Sequence, residues 1–243
     1  ALAAPGAPVA IVGGGFIGLE VASSLAELGL RPTVIEMAPT LWSGGLGTDL
    51  GAWAGDRLRE AGVVLRLASS VTRLADGAVW VGDERIPAAF VVAGIGVRPR
   101  DALGVSAGLV TGDGIVVDDQ QRTSHPAIWA AGDVARVSGR RVEHWHAARE
   151  AGERAALSML GLPVSPPPPP WVFSEIGGAT LDLIGVLDAW EAQRWLIESR
   201  LLAYLAADRV VGLASMDGLL APETARDLVA AAASVPEVMA SVP

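Results

Sequence analysis

The sequence contains no cysteine. This absence excludes disulfides, thiolate metal sites and a CxxC redox pair, so any electron transfer must run through a bound cofactor. Basic side chains are few: 18 Lys and Arg stand against 27 Asp and Glu, and the formal net charge is −9. The chain therefore lacks the basic stripe that nucleic-acid binding requires. No apolar run reaches the roughly 20 residues of a membrane helix. We expect neither a nucleic acid nor a membrane as partner.

A secretion signal is also missing. The first residues, ALAAPGAP, have neither an initiating Met nor the basic start and apolar core of such a signal. We therefore expect a cytoplasmic protein whose sequence begins within a longer chain. The 243 residues suffice for one large domain or two ordinary ones.

The N-terminal segment has the pattern of a βαβ unit. Pro8–Gly13 is a short β-branched run that ends in glycines, and it predicts a buried strand. A helix is predicted over Phe16–Leu28, because its apolar residues recur every three or four positions. Pro32–Glu36 predicts the second strand.

Further alternation follows. We predict a helix over residues 48–61, a strand over 63–67, a hairpin within 71–86 and strands over 90–92, 114–117 and 128–131, then a helix over 147–160. The proline run Pro166–Pro170 favours extended structure and marks a domain boundary. Beyond it, the strand-like runs ATLDLIGV, RLLAYLA and RVVGLASM and a helix over residues 222–233 predict a small α+β unit.

The glycine motif points to a dinucleotide. Gly13, Gly15 and Gly18 follow the first strand and open the first helix, and Glu36 ends the next strand 23 residues after Gly13. Gly13 allows the tight turn, Gly15 lets the backbone approach a pyrophosphate, and Gly18 lets the helix pack closely on the strand. The helix N-terminus holds the phosphates. A carboxylate at Glu36 accepts ribose hydroxyls and repels a 2′-phosphate, which favours NAD over NADP.

Two alternatives stay open from the residues alone. The glycines could serve packing only, with Glu36 a solvated strand end. The same pattern could instead bind the ADP half of FAD.

Three further motifs accompany the first. GGGFIGLEVA (13–22), GIGVRP (94–99), TSHPAIWAAGDVA (123–135) and RVEHWHAAREAG (141–152) together resemble the flavin-dependent ferredoxin and rubredoxin reductases. These enzymes form a branch of the pyridine nucleotide-disulfide oxidoreductase superfamily and have two dinucleotide-binding domains. The resemblance implies an α/β, Rossmann-like flavoprotein fold with a small α+β C-terminal domain. It divides the chain into an NAD(H) domain (1–90), the C-terminal half of an FAD domain (91–165), and a proline linker with the C-terminal domain (166–243).

The resemblance also assigns site residues. Phe16, Ile17 and Glu20 would join the glycines in holding NAD(H), with Glu20 near the carboxamide, and Gly96 would give the nicotinamide nucleotide room. Gly132 and Asp133 would contact the ribityl chain of FAD, and Glu143, His144 and Trp145 would lie beside the flavin ring. The other possibilities are a solvated helix glutamate at 20, a simple bend at 96, a turn aspartate at 133 and a core Trp at 145.

The implied reaction needs no side-chain acid or base, so no catalytic residue is assigned. Hydride would pass from NADH to flavin, and electrons would continue to a ferredoxin or rubredoxin-like carrier. A metal site is not expected, because the histidines lack a paired acid or cysteine cluster. His125 and His146 are interpreted as loop and helix-surface residues.

The sequence departs from the family in two places. The C-terminal domain opens with Trp171–Ile176 (WVFSEI) instead of an aromatic pair ending in Trp, an acidic residue and Gln. A first glycine motif for the ADP half of FAD does not precede Ala1, so we expect the C-terminal portion of a longer enzyme. The alternatives are a free-standing NAD-binding module and a subunit completed by a separate N-terminal FAD-binding polypeptide; a homodimer is also possible.

Overall fold

The structure is a computed structural model and describes residues 4–42, 45–185 and 189–243. The chain divides into two compact units, one combining Ala1–Gly96 with Phe173–Pro243 and the other comprising Val97–Val172. The strands are β1 (Pro8–Val12), β2 (Arg31–Ile35), β3 (Val64–Arg66), β4 (Val71–Ala75), β5 (Ala78–Val81), β6 (Glu84–Pro87), β7 (Phe90–Ala93), β8 (Ile115–Val117), β9 (Ala135–Val137), β10 (Trp171–Ile176), β11 (Ala179–Gly185), β12 (Ala192–Ile197), β13 (Leu201–Ala206) and β14 (Arg209–Met216). The helices are α1 (Phe16–Glu27), α2 (Gly47–Glu60), α3 (Ala102–Ser106), α4 (Trp145–Met159), α5 (Pro222–Ala230) and α6 (Val235–Ala240).

A parallel sheet forms the centre of the first unit. Its strand order is β3-β2-β1-β7, and β1 pairs in parallel with both β2 and β7. β1 is almost wholly apolar because it is buried between neighbours, with Ala10 and Ile11 fully inaccessible to solvent. The predicted βαβ opening and the α/β, Rossmann-like fold class are confirmed.

Two antiparallel sheets complete this unit. β4, β5 and β6 form a meander whose Val79 and Ile86 pack on Ala10 and Ile35 of the parallel sheet. The segment predicted to contain a hairpin, residues 71–86, therefore forms a three-stranded sheet with two turns. The C-terminal segment forms a sheet of order β10-β11-β14-β13-β12, and α5 packs against β11 and β14. This arrangement confirms the predicted α+β character of the segment.

The second unit is smaller. β8 and β9 pair in parallel, and their apolar residues form a core with Leu109 and Ala130. The strand predicted over Ile128–Ala131 is wrong: Trp129 makes only an isolated bridge with Arg122. The segment reads as a strand because its apolar residues cluster, but they fill the small core from an irregular loop. None of the helices in the described ranges is both long and apolar enough to cross a bilayer.

Candidate dinucleotide site

The candidate site lies at the carboxyl edge of the parallel sheet. β2 and β3 lie on one side of β1 and β7 lies on the other, so the strand order reverses between β1 and β7. Ligands of open α/β sheets bind in the crevice at such a reversal. The two strand ends are held together there, because the Gly94 N–H donates to the Val12 carbonyl at 2.8 Å.

The three motif glycines have different reasons to be glycine. Gly13 has φ +107°, and a Cβ there would lie 2.2 Å from the Gly94 oxygen. A Cβ at Gly18 would lie 2.1 Å from the Gly13 oxygen, so α1 packs directly on the turn. A Cβ at Gly15 would meet nothing within 4 Å. Packing therefore requires Gly13 and Gly18, whereas Gly15 borders open space that a pyrophosphate can occupy.

The N-terminus of α1 fits an anion. Gly15 is its N-cap in an extended conformation, and the described helix has neither a side-chain cap nor an acidic residue in its first turn. The first N–H groups of a helix lack intrahelical partners, and the helix dipole adds positive potential. Phosphate groups bind at such ends.

Glu36 lies beside this turn. One carboxylate oxygen accepts a hydrogen bond from the Gly14 N–H at 2.6 Å, and the other accepts one from the Ala38 N–H at 2.8 Å. The side chain is half-buried and its orientation is fixed at both oxygens. An ionised carboxylate has about four acceptor positions, so capacity remains for ribose hydroxyls. Glu36 is thus held at the glycine turn and is not a solvated strand end.

The first turn of α1 has one packed and one open side chain. The ring of Phe16 lies 4.9 Å from that of Trp42, which is in the loop between β2 and α2. The neighbouring Ile17 is 54% exposed although it is apolar. Gly96, beyond the end of β7, has φ +97° and is exposed, and a Cβ there would meet nothing within 4 Å.

Glu20 faces the C-terminal sheet, one turn further along α1. It is half-buried, and its Oε1 accepts a hydrogen bond from the Ser174 hydroxyl at 2.6 Å. It is therefore not an ordinary solvated glutamate. A groove of about 470 Å³ lies alongside and is lined by Glu20, Glu27, Phe173 and Glu175 among others.

The second unit contains the remaining predicted residues. Gly132 and Asp133 open a short 3-10 turn, and Gly132 has φ +75°. Glu143, His144 and Trp145 lie at the start of α4, where His144 is the N-cap and its ring accepts a hydrogen bond from the His146 N–H. Trp145 is 63% exposed, so it is not a core residue.

His146 differs from its sequence interpretation. Its ring lies 3.9 Å from that of Trp171, and the residue is half-buried. The helix-surface assignment is therefore wrong, because Trp171 of β10 covers this face. Among the described residues, no group of three or more His, Asp or Glu side chains could hold a metal ion.

Arg141 connects the two predicted parts of the second unit, and sequence reasoning missed it. Its side chain is 11% exposed, and its guanidinium donates to the Asp133 carbonyl at 3.2 Å and pairs with Glu143 and Asp113. Burial disfavours its charged form, but the hydrogen bonds with Glu143 and Asp113 outweigh burial and raise the pKa of Arg141. Its position two residues before Glu143 was the available signal.

The sequence matches a known family over more than half of the chain. The model of the pyridine nucleotide-disulphide oxidoreductase family matches residues 1–152. The chain belongs to this family. The sequence-based resemblance to the superfamily is thereby confirmed.

The chain is similar in structure to several solved reductases. Putidaredoxin reductase, in its covalent complex with putidaredoxin, superposes with a TM-score of 0.87 at 24% identity, over 98% of this chain and 64% of that one. The ferredoxin reductase of the CYP199A2 system from Rhodopseudomonas palustris superposes with a TM-score of 0.79 at 27% identity, over 96% of this chain and 64% of that one. Fdr9 superposes with a TM-score of 0.83 at 31% identity, over 94% of this chain and 62% of that one. The chain thus spans less than two thirds of the length of each. These superpositions confirm the two-dinucleotide-domain flavoprotein fold.

Proposed function

We propose that this chain binds NADH and provides part of the flavin site of a ferredoxin reductase-type NADH oxidoreductase. One observation carries the proposal: the open space beside Gly15 lies at an uncapped helix N-terminus, at the point where the strand order reverses, with Glu36 anchored next to it. A packing role alone explains Gly13 and Gly18. It does not explain why Gly15 borders empty space.

Different residues bind different parts of NADH. Backbone N–H groups at Gly15 and in the first turn of α1 bind the pyrophosphate. Glu36 accepts the adenosine ribose hydroxyls, and a 2′-phosphate in that place meets a carboxylate of the same charge. Gly96 leaves room for the nicotinamide half, and Glu20 takes its carboxamide side.

The second unit provides contacts for flavin. Asp133 binds the ribityl chain, with the Gly132 backbone beside it, and Trp145 lies against the ring. Arg141 keeps the Asp133 turn and Glu143 in fixed positions. With both cofactors bound at these residues, NADH would supply a hydride and the flavin would accept it. The side chains orient the cofactors, and none has to move a proton.

We propose an iron–sulfur protein of the ferredoxin class as the electron acceptor. Support comes from the fold, since the putidaredoxin reductase structure is a complex with putidaredoxin and the Rhodopseudomonas enzyme is named a ferredoxin reductase.

Calorimetric titration with NADH tests the nucleotide assignment. The variant Gly15→Val should fold normally, because Gly15 has φ −81° and ψ 177°, a backbone conformation that Val adopts readily. Its side chain should occupy the pyrophosphate space and weaken NADH binding at least about tenfold. Gly152→Val is the matched control, since a Cβ at Gly152 also meets nothing within 4 Å but lies on α4.

The comparison has clear outcomes. Loss of NADH binding in Gly15→Val, with retention in Gly152→Val, supports the proposal. Equal NADH affinity in all three proteins would show that the nucleotide does not bind at Gly15. Absence of NADH binding to the unaltered chain would refute the assignment.

A further inference from the structure

Side chains of the C-terminal segment, on β12 and β13 and just before β12, reach Gly45 and Leu46 before α2. The Tyr204 hydroxyl and the Gln193 side-chain amide both donate to the Leu46 carbonyl, at 2.9 and 2.7 Å. The indole N–H of Trp190 donates to the Gly45 carbonyl at 2.9 Å. Gln193 and Tyr204 are directly opposite each other on β12 and β13. We name Trp190, Gln193 and Tyr204 the sheet clamp.

The clamped loop is in direct contact with the glycine turn. The Leu46 N–H donates to the Trp42 carbonyl at 3.3 Å, and the Trp42 ring packs on Phe16. Leu41, buried just before, lies so close to Gly14 that a Cβ there would be 2.8 Å from its Cδ2. A continuous set of contacts therefore runs from the sheet clamp to the residues on both sides of Gly15.

The clamp also organises the start of α2. Leu46, the N-cap of α2, provides no side-chain cap. The Gln193 Oε1 accepts a hydrogen bond from the Asp49 N–H at 3.4 Å, so a residue 144 positions away satisfies one of the free N–H groups. Tyr204 is fully buried, and burial is the main cause that raises its pKa, which keeps its hydroxyl protonated as a donor.

We infer that the sheet clamp positions the described loop residues 41, 42, 45 and 46 between β2 and α2, and thereby sets the affinity for the adenosine half of NADH. Trp190, Gln193 and Tyr204 are positioning residues that act through Leu41 and Trp42. The inference rests on the proposed function, because it assumes that the nucleotide binds at Gly15 and Glu36.

The experiment compares Tyr204→Phe and Gln193→Leu with the unaltered chain. Tyr204→Phe keeps the ring and its edge contact with Trp190 but removes the hydrogen bond to Leu46. Ser215→Ala is the control: Ser215 is equally buried in the neighbouring β14, but its hydroxyl bonds Leu220, away from the loop. Calorimetry measures Kd for NADH and for ADP-ribose, which lacks nicotinamide, and thermal unfolding reports stability.

We expect the affinities for NADH and ADP-ribose to fall together, by roughly three- to tenfold, in each clamp variant. Tyr204→Phe removes one hydrogen bond and Gln193→Leu removes two, so the larger loss of affinity is expected for Gln193→Leu. Ser215→Ala should melt earlier but bind both ligands normally. Unchanged affinity in both clamp variants, with normal NADH binding by the unaltered chain, would overturn the clamp and leave the proposed function standing. Absence of NADH binding to the unaltered chain would overturn both.

Discussion

Glu36 is held in place by backbone N–H groups on both carboxylate oxygens, so its charge has a fixed position beside the glycine turn. We predict that the chain binds NADH more tightly than NADPH. In NADH this carboxylate meets a ribose hydroxyl, and in NADPH it meets a phosphate dianion. Replacing Glu36 with Arg should narrow or invert the preference. Calorimetric Kd values for both nucleotides measure it.

The control for this substitution is Glu27→Arg, which makes the same charge change at the far end of α1. Glu27 is eleven residues after Phe16 in α1. The helix rise therefore places it about 16 Å from the glycine turn, which is beyond the Debye length at physiological salt. Its NADH to NADPH ratio should stay close to that of the unaltered chain. Equal affinities for the two nucleotides in the unaltered chain would contradict the role given to Glu36.

Within the second unit, the side chain of Arg141 joins three separate segments of the chain. Arg141 bonds the Asp113 segment before β8, the carbonyl of Asp133 in the 3-10 turn, and Glu143 before α4. We predict that Arg141→Met lowers the free energy of unfolding by about 2 kcal/mol, because hydrogen bonds with charged partners are lost. The free energy of unfolding of Arg141→Lys should lie between those of the unaltered chain and Arg141→Met, because an ammonium group cannot replace the planar guanidinium with its five donors.

Urea unfolding followed by tryptophan fluorescence measures these changes. Arg100→Met is the matched control, because Arg100 lies in the same unit and is exposed. Surface substitutions of that kind stay within about 0.5 kcal/mol. Equal stability of Arg141→Met and Arg100→Met would show that Arg141 does not hold the three segments together.

The elements that sequence predicted well are those with one dominant signal. β1 and β2 are β-branched runs in a buried parallel sheet, and α1 lies between Gly15 and Gly29, so their predicted ends differ from the observed ones by a residue. The apolar spacing did not predict the buried face of the helix: α1 buries Leu19 and Ala22, whereas Ile17 is exposed. β12 was not predicted, because its sequence AQRWLI mixes polar and apolar residues on an edge strand. Periodicity is weak there, and the pairing with β13 determines the strand.

The candidate site follows the same division. Gly13, Gly15 and Gly18 form a local motif, and their geometry was predictable from its context. The contacts that fix the surrounding loop were not: Gln193 is 147 positions from Leu46, and the Ser174 hydroxyl is 154 positions from Glu20. Such pairs depend on how the C-terminal segment packs on α1 and on the loop before α2. A single sequence contains no local signal for them.

At the scale of the molecule, the predicted contacts for the two cofactors are unequal. For NAD(H) they extend from the pyrophosphate to the nicotinamide, through Gly15, Glu36 and Gly96. For FAD they are confined to the ribityl chain and the ring, through Gly132, Asp133 and Trp145. Within residues 4–42, 45–185 and 189–243, a glycine turn of this type precedes only α1. The pyrophosphate of FAD needs a comparable helix N-terminus.

We therefore predict that this polypeptide, purified by itself, binds NADH but holds FAD weakly. Much of the affinity for a dinucleotide comes from its pyrophosphate, and Gly13–Gly18 can bind only one such group at a time. The visible absorbance of the purified chain reports bound flavin, and equilibrium dialysis with added FAD gives its Kd. Excess FAD should also compete with NADH if it enters the same glycine turn, and Gly15→Val should then weaken both. Stoichiometric FAD that survives dialysis and does not compete with NADH would show that the chain binds the FAD pyrophosphate elsewhere, and would contradict this unequal division of contacts.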